Sequence, residues 1–166
     1  MTSAGYPRLT DLSFLARCHV RTAGFHRYWQ SKRRGDLLPA RADLDPLEMK
    51  EWLPGVVLVD VTRDVGRQPP YRLTYRLIGT RATELREREG TGKTVEEGYF
   101  GNSLAEVLEN YRLVIEERKI VYDGDRTLSQ NGARLEAETL LLPLASDGVT
   151  VDMVICYQEI ESPTPA

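Results

Sequence analysis

Cysteine and histidine are scarce in this chain of 166 residues, which holds two of each. Cys18 and Cys156 lie far apart and neither belongs to a CxxC pair, which excludes a disulfide framework and a zinc ribbon. Each reads as a small buried apolar residue. His19 and His26 have no Cys or acidic cluster beside them to complete a metal site, so no metal is expected. His26 also precedes the core segment described below, a poor place for a haem ligand, and no cofactor is predicted. Long apolar runs are missing as well. None approaches the roughly 20 residues of a bilayer span, and Met1-Thr2-Ser3-Ala4-Gly5-Tyr6-Pro7 lacks an apolar run of signal type, so a cytoplasmic protein without a membrane span is expected.

A large excess of one charge is absent too. The net charge is −3 and the pI about 5.5, far from the basic balance of a nucleic-acid binder, so no nucleic-acid partner is predicted. Residues 1–50 carry nine Lys/Arg against five Asp/Glu, and residues 51–166 thirteen against twenty, giving +4 and −7. The one short basic run, Lys32-Arg33-Arg34, suits a helix end, where cations oppose the macrodipole. What is present is a globular composition, 41% apolar and 28% charged, in a chain long enough for one domain.

Thr22 can cap a helix running to about Arg34, with Phe25 and Trp29 on one face and Gly35 beyond it. Asp45-Pro46-Leu47 predicts a second helix ended by Pro54-Gly55, burying Leu47, Trp52 and Leu53. Upstream, Leu9, Leu12, Phe14 and Leu15 fit either a short amphipathic helix or a docked arm. After Pro54 the period becomes two. Val56 to Val61 is apolar on both faces, and Tyr71, Leu73, Tyr75 and Leu77 alternate with Arg72, Thr74 and Arg76. A short helix follows around Ala82 to Arg88. Ser103 opens the clearest helix, whose stripe is Leu104, Val107, Leu108, Tyr111, Val114 and Ile115. Strands are predicted at Ile120 to Leu128, Arg134 to Leu144 and Thr150 to Gln158, joined by turns at Asn131-Gly132 and Asp147-Gly148. The expected organisation is an extension over 1–21, amino-terminal helices over 22–55, a core over 56–158 and a flexible tail over 159–166. The fold class is α+β, a five-stranded antiparallel sheet with helices on one face and the amino-terminal helices added.

Element order and local residues resemble the PAS_5 family, small stand-alone bacterial PAS-like proteins. The likeness is carried by Tyr28-Trp29, by the segment from Leu38 to Leu47 (LPARADLDPL) and by Leu53-Pro54. Further matches are the segment from Tyr75 to Thr80 (YRLIGT), Thr91-Gly92-Lys93, and the segment from Leu142 to Gly148 (LPLASDG), so that the resemblance spans roughly residues 22–158. It implies a profilin-like PAS sheet and a sensory or protein-interaction module. It brings no catalytic constellation with it.

Enzymatic motifs are weak. Gly92-Lys93-Thr94 looks like the end of a phosphate loop, but Glu87 stands where the first glycine is required. Glu96-Glu97, Glu116-Glu117 and Asp123/Asp125 read as solvated acids with basic neighbours, and no Gly-x-Ser-x-Gly elbow occurs. No catalytic residue is predicted. The candidate ligand pocket is a space between sheet and helices lined by Leu73, Tyr75, Leu77, Leu85, Leu108, Tyr111, Ile115, Thr139, Met153 and Ile155, with Arg76 a further polar candidate. Phe25, Trp29, Trp52, Leu140 and Leu142 form a candidate partner surface. The function expected is a signalling module without an output domain of its own. It would bind a small apolar ligand, a signalling protein or a second copy of itself. The alternatives are a small isomerase or hydrolase using the same cavity, which requires converging polar groups, and a ligand-free adaptor.

Overall fold

The period-two segments pair antiparallel throughout, as residues alternating between two faces can do when both faces are covered. A computed structural model describes residues 7–86, 89–101, 103–124, 127–128 and 134–161. They form β1 (Arg8–Leu9), α1 (Val20–Ser31), β2 (Val56–Arg63), β3 (Tyr71–Ile78), α2 (Thr80–Arg86) and α3 (Val95–Gly98). Then come α4 (Leu104–Glu117), β4 (Val121–Asp123), β5 (Thr127–Leu128), β6 (Arg134–Leu144) and β7 (Met153–Glu161). The sheet runs β1-β4-β6-β7-β2-β3, with β5 on β6. The five expected strands make up most of it, β3 forming the edge opposite β1. β1 adds an edge strand that its two residues do not announce, and the strand expected over Ile120 to Leu128 is divided into β4 and β5.

The register assigns every side chain to a face. Val57, Leu141, Val154 and Cys156 point one way, toward α4, with Tyr75, Leu73 and Tyr71 of β3 beside them. Leu58, Leu140, Leu142, Ile155 and Tyr157 point the other way, toward α1. Helical segments therefore lie on both faces. On the α1 face aromatic rings fill the space. Phe25 meets Tyr157 at 5.3 Å and Trp52 at 5.9 Å between ring centroids, and Phe14 stacks on Tyr122 at 5.6 Å. The Trp29 indole, 1% exposed, donates to the Pro143 carbonyl (3.0 Å), so its polar atom is satisfied inside the core.

Four local expectations are corrected. α1 begins at Val20, capped by His19, whose Nδ1 accepts from the Arg21 amide (3.1 Å); Thr22 falls inside the first turn and is buried there, and the helix ends at Ser31, short of Arg34. The segment after Asp45 is a run of tight turns rather than a helix. Its i→i+3 bonds bring Met49 and Trp52 inward together and leave Leu47 72% exposed. In β3, Leu58 pairs with Leu77 while Val59 pairs with Tyr75, so Arg76 is an extra residue in a bulge. The bulge reverses the alternation, turning Leu77 outward (43% exposed) and Ile78 inward. Lastly, β7 starts at Met153 and continues through Glu161, three residues into the expected tail. Its start is delayed because Asp147 Oδ1 accepts from the Val149 and Thr150 amides in a turn.

Ser103 caps α4 as its sequence predicts, its hydroxyl accepting from the Glu106 amide (3.3 Å). Gly79 admits the chain where it crosses the turn at Leu53–Gly55: a Cβ there would lie 2.3 Å from the Leu53 carbonyl oxygen. The expected turn at Asn131-Gly132 and residues 162–166 lie outside the described residues. Among the described residues no helix is long and apolar enough to cross a membrane.

Candidate functional site

The α4 face of the sheet is not filled in the same way. Between it, α2, α4 and the Phe100-Gly101 loop lies a cavity of about 50 Å³. β2 supplies Val57, β3 Tyr75, β4 Asp123, β6 Ala137, Thr139 and Leu141, and β7 Cys156 and Gln158. α4 closes it with Val107, Asn110 and Tyr111, which the i, i+3, i+4 spacing puts on one helical face. Arg86 closes it from the last turn of α2.

Arg86 is 7% exposed. Its Nη1 donates to the Ala82 carbonyl (3.1 Å) and to Gln158 Oε1 (2.8 Å), and its guanidinium carbon lies 5.5 Å from the Tyr75 ring centroid and 5.7 Å from that of Phe100. Among the described residues its Nε is buried without an acceptor. Among the described residues no carboxylate forms an ion pair with it. Gln158 Nε2 in turn donates to Thr139 Oγ1 at the long distance of 3.5 Å, and Asn110 Nδ2 donates to Asp123 Oδ2 at 2.6 Å. The Tyr111 hydroxyl and Cys156 Sγ are 3.7 Å apart.

Burial pushes the Cys156 thiol up to about 12, against the smaller opposing influences of the Tyr111 hydrogen bond and the Arg86 charge. It raises the Tyr111 hydroxyl well above its usual range and raises the Tyr75 hydroxyl too, against the charge and a hydrogen bond of Arg86. Among the described residues the wall thus offers protonated hydroxyl and thiol groups beside the Arg86 cation and the Asp123 carboxylate.

Of the pocket residues expected from sequence, Tyr75, Tyr111 and Thr139 line this cavity. Leu73 and Leu108 instead line an open groove of about 460 Å³ between β3 and α4, with Tyr71, Ala105, Arg112 and Glu116 among its other walls. Ile115 is buried but forms no part of the cavity wall. Met153 and Ile155 face α1, because β7 is apolar on both sides and its pairing with β2 selects Val154 and Cys156 for the cavity face. Leu77 is turned out by the bulge, and Arg76 with it pairs with Asp60 at 2.8 Å rather than entering the site. The Leu85 side chain lies outside the described residues.

The expected partner surface is also corrected. Phe25, Trp29, Trp52, Leu140 and Leu142 are all buried, packed into the α1 face by the chain's own amino-terminal segment. Sequence reasoning missed Arg86, Asn110 and Gln158, polar residues that pattern analysis assigns to solvent. The signal was available in α2, where Ala82 and Arg86 are four apart and share the buried face. The glycine-rich segment serves β3: the Tyr75 amide donates to the Lys93 carbonyl (2.9 Å) and Gly92 donates back to Tyr75 (2.8 Å), while Thr94 caps α3. Two of the paired acids have surface partners, Glu96 with Arg67 (2.9 Å) and Glu117 with Arg112 (3.1 Å).

A family model for the PAS domain known as PAS_5 matches residues 17–157. The chain belongs to that family. The PAS domain described here also has likenesses among solved structures. A light-oxygen-voltage domain from a study of a flavin analogue aligns at 11% identity and TM-score 0.49, over 70% of this chain and 83% of its own. A Rhodobacter sphaeroides LOV protein aligns at 12% and 0.48, over 66% and 61%. The PAS domain of an HTR-like protein from Haloarcula marismortui aligns at 14% and 0.41, over 86% and 100%. Likeness at these scores adds no argument to the family assignment. No curated protein sequence matches the chain.

Proposed function

We propose that this PAS domain is a sensory module that binds a small ligand in the cavity between the sheet and α4 and passes the change to a partner protein or a second copy. The observation that carries the proposal is the polar lining of a space inside the core. A sheet-and-helix interior needs only apolar contacts to fold, and each buried polar group there costs free energy unless it is satisfied. Here Arg86, Asn110, Asp123, Thr139 and Gln158 converge on one cavity. The apolar ligand expected from the sequence is replaced in this proposal by a polar one. It is also small: pockets for drug-sized molecules run about 300–1,000 Å³, whereas this cavity is about 50 Å³, room for about three to five waters at the ~10–15 Å³ each requires.

Ligand binding shifts a population only if it favours one arrangement over another. α2 is short and its last turn is held to β7 through Arg86 and Gln158, so a ligand that engages Arg86 bears directly on the α2 position. The test is native mass spectrometry of the purified chain against its denatured mass. A reproducible extra mass that denaturation removes is expected; a clean polypeptide mass under gentle conditions, with no small molecule raising its stability, would contradict the proposal. The enzymatic alternative draws on the same convergence of polar groups, and chemical change of the bound molecule over time would separate it from sensing.

A further inference from the structure

The guanidinium of Arg86 is a permanent cation. Placing such a charge in a protein interior is unfavourable unless an opposite charge and hydrogen bonds compensate it. Arg86 is 7% exposed and, among the described residues, has no carboxylate partner; Nη1 donates to the neutral acceptors Ala82 O and Gln158 Oε1, and the Tyr75 hydroxyl is a further neutral hydrogen-bonding neighbour. Both Nη1 hydrogens are therefore committed. The Nε–H stays buried without an acceptor, and in a guanidinium it shares an edge with one Nη2–H. That edge presents two parallel donors, the geometry that receives two oxygens of a planar anion.

We propose that this edge binds a small planar monoanion, a short carboxylate or nitrate, inside the cavity. The inference rests on the cavity being a ligand site. Neighbouring groups suit an anion. The Thr139 oxygen accepts from Gln158 and so leaves its own O–H to donate, and the Tyr75 and Tyr111 hydroxyls stay protonated on the same wall. Among the described residues the one carboxylate on the wall, Asp123 of β4, accepts from Asn110 Nδ2 at 2.6 Å. β6 lies between β4 and the β7 strand that holds Gln158, which sets Asp123 about two strand spacings, roughly 9–10 Å, from the Gln158 strand. A cavity of about 50 Å³ admits an anion of a few heavy atoms and excludes larger ones.

The test is calorimetric titration of the whole chain at constant ionic strength with formate, acetate, nitrate and the neutral isostere acetamide. At least one of the anions saturates and acetamide does not; formate and acetate against nitrate tells a carboxylate source from an inorganic one. Arg86→Met weakens binding by about tenfold or more, the loss of a charge-assisted pair, and Arg86→Lys weakens it as well because the fork is gone. Should those variants fail to fold, Gln158→Glu supplies an internal carboxylate to the guanidinium: the protein stays folded by circular dichroism and loses anion binding. Equal binding of acetamide, or binding unchanged in Gln158→Glu, overturns the anion assignment and leaves the ligand site standing. No binding by any probe, with a neutral adduct in native mass spectrometry, does the same. No binding and no adduct overturn both.

Discussion

The two faces of one sheet solve opposite problems with the same strands. Under α1, Phe25, Trp29, Trp52 and Tyr157 interlock with Leu140, Leu142 and Ile155, and the polar tips of three of these rings are satisfied, Trp29 by Pro143, Trp52 by Arg21 and Tyr157 by Glu159, while the neutral His26 ring keeps a buried Nε2 without a partner among the described residues. Under α2 and α4 the same strands present Cys156, Gln158 and Thr139 to a hollow with an unpaired Nε–H. One face is filled, and the other holds a guanidinium that has no ion-pair partner among the described residues, which the proposed ligand would supply. Alternate residues of β6 and β7 belong to both faces.

The largest effect comes from truncating the filled face. Phe25→Ala removes a ring 1% exposed and is expected to cost about 3–5 kcal/mol by chemical denaturation, with anion affinity unchanged in whatever fraction stays folded. Gly79→Ala is next, at about 1–3 kcal/mol or somewhat more, because the added methyl meets the carbonyls of Leu53 and Pro54 rather than flexible side chains. On the hollow face the same measurement gives little: Thr139→Val removes one long hydrogen bond, costs about 1 kcal/mol or less, yet reduces ligand occupancy. A loss as large as that of Phe25→Ala would mean the two faces are alike.

The pH dependence adds a finer test. His26 sits against Phe14 and Trp29 with a buried Nε2 that has no partner, and burial followed by the Arg27 charge lowers its pKa from the ordinary 6.5. The folded state therefore holds the neutral ring while the unfolded chain protonates more readily. Its contribution is complete above about pH 6.5 and is lost as pH falls from there through the lowered folded value. Denaturation midpoints measured from pH 7.5 to 5 should fall more steeply in the native chain than in His26→Leu; equal slopes would remove His26 from the account. The smallest effect is at the bulge, where Leu77→Ser stays within about 0.5 kcal/mol while Ile78→Ser does not, the reverse of what unbroken alternation from Leu73 predicts.

How much of this was legible depends on how strongly each segment is patterned. α4 and the first half of β3 follow from period and capping because their apolar and polar residues separate cleanly. β7 is apolar on both sides, so its sequence gives no phase; alternation alone allows Met153 and Ile155 in the cavity, whereas pairing with β2 puts them under α1. The bulge at Arg76 is a pairing irregularity with no glycine to mark it. The aromatic residues of α1 read as an unpartnered face because the surface they need is built by strands more than a hundred residues later. Arg86 was invisible for the opposite reason: charge is ordinarily solvated, and only the helical spacing from Ala82 places it inside.

The most direct test follows two N–H groups by NMR in one titration with the short carboxylates and their amides. The Arg86 Nε–H should shift with the carboxylates and not with the amides, while the Trp29 indole N–H, locked to Pro143 on the filled face, stays where it is. A Trp29 signal that moves as far as that of Arg86, or an Arg86 signal that does not move at all, would contradict the division of the sheet into a filled face and a binding face.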